Sequence, residues 1–265
     1  MIALSRTIPL HGADGSVLIQ TLALIPPVAV AAWVGGLPFL GTLAVALVVV
    51  LAWDYIFATL RQRAVKPYGI TTAAIFVLFV PPEMPLWHLV VVLSLGSVIA
   101  EHVFGGRGFA FLSPATAALA LGLLSLPNLT LMTPSPAIAW ACLPGAVLLL
   151  LFGMLSVPIA LVFLATLVVA FGITTPPDAV GLLAACSVAL LFLVCDPLSA
   201  AVTGMGRVLY GALAGVLAWV FSGFGGGVPS ADALVFAALL ASLFAPLLDT
   251  MAVAVNGLWR RRRYG

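Results

Sequence analysis

One motif stands in this chain twice. Around Val103 the sequence runs VFGGRGFAFLSPATAALALG, and around Gly223 it runs GFGGGVPSADALVFAALLA: an aromatic, a run of glycines, a short polar stretch, then a new apolar helix. The segment ahead of each copy also repeats, since LFVPP at 78–82 matches LVCDP at 193–197. Prolines and glycines at matched places break helices, and a broken helix leaves backbone groups without partners. In an apolar chain this pattern points to a membrane protein with a site between two related halves.

Composition fixes the solvent. Of 265 residues 64% are hydrophobic and 7% charged, with a mean hydropathy of +1.29, too little polar surface for a soluble domain of this size. The chain is therefore expected to lie in lipid almost end to end. A formal charge of +2 gives no reason to expect nucleic acid, and the one basic run, 260–263, follows an apolar helix as a cytoplasmic anchor does. The first apolar stretch, near Val17, lacks a small-residue cleavage site and reads as a retained span.

A window of about 20 residues per span divides the chain into about ten segments: 17–34, 37–60, 70–80, 86–104, 114–126, 137–155, 158–172, 180–195, 207–221 and 231–255. The organisation expected is a short N-terminal stretch 1–16, a first membrane repeat 17–126, a second 137–256 and a basic tail 257–265. With the N-terminus inside, Arg6, Arg61, Arg63, Lys66, Arg107, Arg207 and the 260–263 tail all fall on the cytoplasmic side, which places both termini there. Five segments per half is an odd number, so the second half runs opposite to the first. The fold class expected is an all-α integral membrane protein of two inverted five-segment repeats with broken half-helices. Segment 70–80 spans about 16 Å at 1.5 Å per residue and cannot cross a core of about 30 Å. It reads as a half-helix ended by Pro81, Pro82 and Pro85, and its counterpart 180–195 ends at Asp196 and Pro197. The site is expected where the two breaks approach each other.

The glycines have a mechanism of their own. Gly105, Gly106 and Gly108, with 225–227 in the other copy, permit positive φ and let backbone N–H groups face a ligand; close helix packing is the alternative, favoured for the second cluster. Ionisable residues inside lipid cost about 2.5 to 3.5 kcal/mol each and ask for a reason. Asp196 reads equally as a cap near Ser199 and as a ligand or ion group, and Asp249, inside an apolar helix, calls for a buried partner or an ion. Glu101 and His102 end the fourth segment, either as a solvated interfacial end or as a proton- or cation-exchanging pair. Asp54 is placed to pair with Arg61 or Arg63, and Glu83 and His88 read as interfacial. Cys142, Cys186 and Cys195 form no C-x-x-C pair, and an iron–sulfur cluster needs four ligands. No P-loop or dinucleotide-binding glycine motif occurs, so any NADH chemistry belongs to a partner.

Three stretches carry a resemblance. FGGRGFAFLSPATAALALG resembles an FGG-x-G-x-x-x-FNPA motif, CDPLSAAVTGMGRVLYGALAG a TDPVSA-x-x-T-x-x-G-x-x-x-x-GAL-x-G motif, and LLASLFAPLLDTMAV an LLAN-x-x-APLID segment; PPEMPLW resembles PP-x-x-PLW. On these the chain is identified as a member of the NqrB/RnfD family, whose members are membrane subunits of the sodium-translocating NADH:quinone oxidoreductase and of the Rnf ferredoxin:NAD oxidoreductase. The resemblance implies a membrane subunit carrying flavin and passing electrons within a multi-subunit complex of the bacterial-type inner (cytoplasmic) membrane. Its partners would be other membrane and redox subunits, with quinone a further ligand and cation movement coupled in some members.

Family members bind FMN covalently through the Thr of an S/T-G-A-T type motif. The corresponding loop here, PNLTLMTPSP at 127–136, is short and lacks that motif; SPAT, at 113–116, imitates it only over the FNPA segment. The N-terminal extension typical of the quinone reductase member is also missing, with about 16 residues before the first span. The flavin expected, FMN or riboflavin, is therefore non-covalent, held by Gly105, Gly106, Gly108, Ser113, Asp196, Ser199 and Thr203, with Glu101, His102, Asp196 and Asp249 as the ion or proton path. The competing reading is a small-solute channel or transporter of urea-channel-like inverted-repeat fold.

Overall fold

The computed structural model describes residues 13–107, 109–126, 129–174, 179–223 and 228–264, and among them every regular element is a helix. In chain order these are α1 Ala13–Leu60, α2 Gly69–Phe79, α3 Leu86–Ser97, α4 Pro114–Ser125, α5 Pro136–Leu151, α6 Val157–Thr174, α7 Ala179–Ala189, α8 Gly204–Phe221 and α9 Ala231–Tyr264. Two of them end in π-helical turns, α3 in Val98–His102 and α7 in Leu190–Val194. Three stretches are long and apolar enough to cross a bilayer, Gly15–Leu60, Gly204–Phe221 and Ala231–Gly257, and shorter apolar helices surround them. The chain is an all-helical membrane protein. Gly108 and the 225–227 glycines lie outside the described residues, as do Arg6 and Pro127.

The long α1 is two limbs. Gly36 sits at φ 59°, ψ −146° inside it, and Pro38 follows. A glycine with positive φ ends one helix and proline begins the next, because its missing N–H is one the first turn would leave open anyway. The limbs fold back on each other. Arg107 hydrogen-bonds both Gln20 Oε1, at 3.0 Å, and the carbonyl of Tyr68, at 2.9 Å, and the neighbouring Gly69 N–H reaches Asp54 Oδ2 at 2.8 Å. In a straight helix Gln20 and Asp54 would stand about 51 Å apart, so both ends of the hairpin lie at one end of the molecule, called here the basic end for its Arg61, Arg63, Lys66 and Arg107. Gly153, at φ 68°, makes the same kind of turn between α5 and α6, with Pro158 at the start of the new helix.

The two short central segments form the interior. Every residue of α2 from Thr71 through Phe79 is buried, and so is the π turn Leu190–Val194 with Cys195 after it. A helix apolar on all faces is stable only when wrapped on all faces. Here α1 and α4 wrap α2, while α5 and α9 pack on α7, and α4 packs against α9 across the centre. At the end opposite the basic one, Trp33, Trp87 and Trp140 are exposed, where an aromatic belt sits in a bilayer.

Small residues set how closely helices approach. Gly211 and Gly215 on α8 lie against the Ile159 and Phe163 backbone and Thr166 of α6, Gly96 of α3 lies on Ala118 of α4, and Gly145 of α5 on the Ala23 carbonyl of α1. In lipid such backbone contact replaces the hydrophobic drive as the source of helix association. A Gly211→Leu substitution is expected to lower stability by about 1–3 kcal/mol through overpacking. Gly172→Leu adds the same volume where nothing lies within 4 Å and is expected to change little. Thermal unfolding of the two variants in detergent, read by size-exclusion retention, checks the difference.

Candidate functional site

The basic end of the bundle holds the only place among the described residues where several of the candidate residues meet. Its foundation is the turn after α3. The π turn carries Glu101 and His102 to its last positions, then Gly105 and Gly106 take φ values of 114° and 105°, which side chains resist. Gly105 N–H donates to the His102 carbonyl at 3.2 Å and Gly106 N–H to the Glu101 carbonyl at 3.0 Å. This tight reversal turns Arg107 back into the protein.

Arg107 is buried. Its guanidinium donates to the Tyr68 carbonyl at 2.9 Å, to the Thr71 hydroxyl and to Gln20 Oε1 at 3.0 Å, so it ties the turn to both α1 and the start of α2. Glu101 and His102 are buried as well, 2% and 5% exposed, which removes the solvated-end reading of that pair. Asp54 also differs from expectation. Neither Arg61 nor Arg63 pairs with it; its Oδ2 accepts the Gly69 N–H and caps α2, while Oδ1 stands 3.5 Å from His102 Nε2. Arg61 donates instead to the His102 carbonyl and lies over Phe57, whose ring stacks parallel on His102 at 4.6 Å.

These groups line a cavity of about 480 Å³ whose walls are Asp54, Phe57, Arg61, Arg63, Lys66, Tyr68, Glu101, His102, Gly105, Gly106, Arg107 and Phe109 with two alanines. A second, much smaller cavity lies deeper, between Glu101, Arg107, Ser113, Pro114, Asp196 and Leu198. Glu101 and Arg107 line both. The FGGRG turn of the first half and the DPLSA break of the second therefore meet, and Ser113 at the start of α4 joins them. The two proline breaks do not approach each other as expected, because only the DPLSA break reaches this site: at the other break the Phe79 carbonyl receives the Met132 N–H at 2.7 Å, and the adjacent Leu131 N–H donates to Asp232 Oδ1 of α9 at 2.9 Å.

The remaining candidates have structural employment. Asp196 is 1% exposed; its Oδ1 faces the Leu198 N–H and its Oδ2 the Ser199 hydroxyl, both at 3.4 Å, so Ser199 is its local partner. Thr203 caps α8, accepting the Gly206 N–H at 3.1 Å and donating to Asp249 Oδ1 at 2.5 Å. Asp249 also accepts the Thr203 N–H at 2.9 Å and the Val202 N–H at 3.0 Å, which supplies the partner its place in an apolar helix demands. Thr116 of the SPAT string is buried with an unpartnered hydroxyl, whereas Thr133 of the loop before α5 is exposed. The three cysteines are free and buried, Cys142 and Cys186 lining an apolar groove between α5 and α7, and no metal-holding group of three or more His, Cys, Asp or Glu occurs among the described residues.

Sequence reasoning missed Arg61, Phe57 and Tyr68 as walls of the cavity and Gln20 as an Arg107 partner. A buried Gln in the first span, and an Arg inside a glycine turn, were the available signals.

Asp249→Ala leaves two backbone N–H groups open and is expected to cost about 1–3 kcal/mol, and Thr203→Val about 1 kcal/mol for the lost cap. Because they remove one network, the double variant is expected to fall short of the sum in detergent unfolding experiments.

The model of the NQR2, RnfD, RnfE family matches residues 13–138 and 135–256. The NqrB subunit of the Na(+)-translocating NADH-quinone reductase of Klebsiella pneumoniae subsp. pneumoniae is 27% identical over 80% of this chain and 65% of its own length. That of Neisseria meningitidis serogroup B is 27% identical over 86% and 70%, and that of Ectopseudomonas mendocina 26% over 84% and 68%. The chain thus spans about two thirds of the length of the relatives it matches. With matches from residue 13 to residue 256 and the glycine turn and proline breaks built as described, the chain belongs to the NQR2, RnfD, RnfE family.

Proposed function

We propose that this chain is a membrane subunit of a multi-subunit oxidoreductase complex that holds a flavin without a covalent bond at the basic end and relays electrons across the bilayer. The observation that carries the reading is the meeting of the FGGRG turn and the DPLSA break around two adjoining cavities. The relatives are named as subunits of a Na(+)-translocating NADH-quinone reductase, which supports partner subunits that deliver and accept the electrons and a coupled cation.

The larger cavity suits a planar ring. Its volume of about 480 Å³ lies within the range of small-molecule sites, roughly 300–1,000 Å³. Phe57, Tyr68 and Phe109 give it aromatic walls, and Gly106 faces open space where a Cβ would stand. A flavin bound there supplies one- and two-electron redox chemistry. The side chains around it would orient the ring: Arg107 and Arg61 present charge beside its polar edge, and Ser113 and Asp196 border the space beneath. Ser199 and Thr203, occupied by Asp196 and Asp249, act on the site through the break they stabilise. Quinone is the alternative ring for the same walls.

The architecture fits two inverted five-segment repeats with both termini cytoplasmic. Supporting it are the paired turns of Gly36 and Gly153, the paired glycines Gly105 and Gly223 after α3 and α8, and the gathering of Gln20, Arg61 and Arg107 at one end. In each half the Gly-turn is followed by a polar stretch and a new helix, α4 or α9, and these two meet at the centre.

Colour tests the reading. The chain purified with its complex is expected to show flavin absorbance that is released on denaturation, and to lose most of it in Gly106→Val, which fills the cavity wall. A colourless protein that equilibrates a small solute across vesicles would replace this function with that of a channel. Flavin fluorescence that travels with the polypeptide on a denaturing gel would show a covalent bond, and mass spectrometry would place it on Thr133, Thr116 or another Thr.

A further inference from the structure

The buried pair of Asp54 and His102 has no part in holding the ring proposed above. Asp54 stands on α1 and His102 on the π turn after α3, 48 residues apart in sequence, and they meet at 3.5 Å with both side chains almost fully buried. Phe57 clamps the imidazole from one face in a parallel stack. The cavity at the basic end reaches both residues, so water from that side has access to an otherwise enclosed pair.

Every charged group around the pair is identifiable. From α1 come Asp54 itself and Arg61, the latter on the His102 carbonyl and over Phe57. From the loop after α1 come Arg63 and Lys66, from the turn Glu101 and Arg107, and beyond Glu101 and Arg107, across the deeper cavity, Asp196. The cavity wall thus carries Arg61, Arg63, Lys66 and Arg107 against Asp54 and Glu101. A metal cation entering there meets more positive than negative charge. It would also find Asp54 Oδ2 taken by the Gly69 N–H, Oδ1 facing an imidazole nitrogen, and no metal-holding group of three or more His, Cys, Asp or Glu among the described residues. Hard alkali and alkaline-earth ions need shells of oxygen ligands. A proton needs one lone pair.

We infer that Asp54 and His102 form a proton-binding dyad at the mouth of the site, which takes up a proton, and not a metal cation, from water at the basic end. His102 Nε2 takes the proton from a hydronium ion in the cavity, an N–H bond forming as the hydronium O–H breaks and a water molecule is left. Asp54 Oδ1 then receives it, leaving the Nε2 lone pair free; no electron moves. The use of this proton rests on the redox reading, since an electron held in the neighbouring cavity calls for a compensating positive charge, but its binding does not depend on that reading.

The test uses the full chain in lipid nanodiscs. Infrared difference spectra between acidic and alkaline buffer are expected to contain a protonated-carboxyl band that disappears in Asp54→Asn and whose midpoint is displaced in His102→Gln. The midpoint is expected to be the same in choline and in sodium buffer. Because Asp54 also caps α2, Asp54→Asn is checked for folding by size-exclusion chromatography. If it does not fold, the ¹⁵N-histidine NMR signal of His102 in the unaltered chain, assigned by its loss in His102→Gln, is expected to titrate with the carboxyl band. A midpoint that falls as sodium rises, or a His102 signal that does not titrate in step with a carboxyl, overturns the proposal. A colourless but proton-binding chain would remove the redox reading alone, and a yellow chain with a sodium-dependent midpoint would remove the dyad alone.

Discussion

A backbone N–H or C=O left open in lipid has no water to turn to, and each costs several kcal/mol. This fold breaks its helices repeatedly, so its architecture depends on who closes those groups. Side chains from neighbouring helices do. Asp54 of α1 accepts the first N–H of α2, Asp249 of α9 accepts two N–H groups ahead of α8, and Asp232 of α9 accepts the Leu131 N–H before α5. Arg107 covers the Tyr68 carbonyl on the other side of the α2 start, and the Met132 N–H covers Phe79 at its far end. Three of the chain's eight acidic residues thereby close backbone groups, whereas the buried carboxylates of Glu101 and Asp196 line the deeper cavity.

This division of labour explains what the sequence made legible. Helix breaks announce themselves locally: proline removes a donor and glycine admits positive φ, so α2, α4 and α7 with its π turn lie within a residue or two of their expected bounds. The partners that close the breaks do not. Asp54 lies seven residues from Arg61 in sequence, and pairing it there is the natural expectation, yet it caps Gly69 instead. Arg107 sits between glycines in a loop, and a rule that counts basic residues by loop assigns it a side of the membrane but no partner. Its acceptors, Gln20, Tyr68 and Thr71, lie 36 to 87 residues away, a separation no window on the sequence reaches.

The candidate site was legible to the same degree and for the same reason. Gly105, Gly106, Ser113, Glu101, His102 and Asp196 gather around the two cavities because the turn and the break are themselves local signals. Ser199, Thr203 and Asp249 carry equally strong motifs, but their polar atoms are consumed within the break and the start of α8. A motif marks residues that must be kept; it does not separate those facing a ligand from those that hold the ligand's walls. Only the direction of each hydrogen bond makes that distinction.

The two π-helical turns supply the last step. One ends at His102 and the other at Val194, just ahead of Cys195 and Asp196, and π turns in α-helices recur at functional sites. Each widens the helix by a residue, which rotates everything after it by roughly a quarter turn relative to an unbroken α-helix. The first holds Glu101 and His102 at its end, where they line one cavity with Asp54 and Arg107. Without the second, Asp196 would leave the cavity it shares with Ser113. The two turns stand at unlike places in the halves, one after α3 and one after α7. If the scaffold is two related repeats, the π turns are where the halves depart from each other, and they depart in order to bring one carboxylate from each into a single buried space.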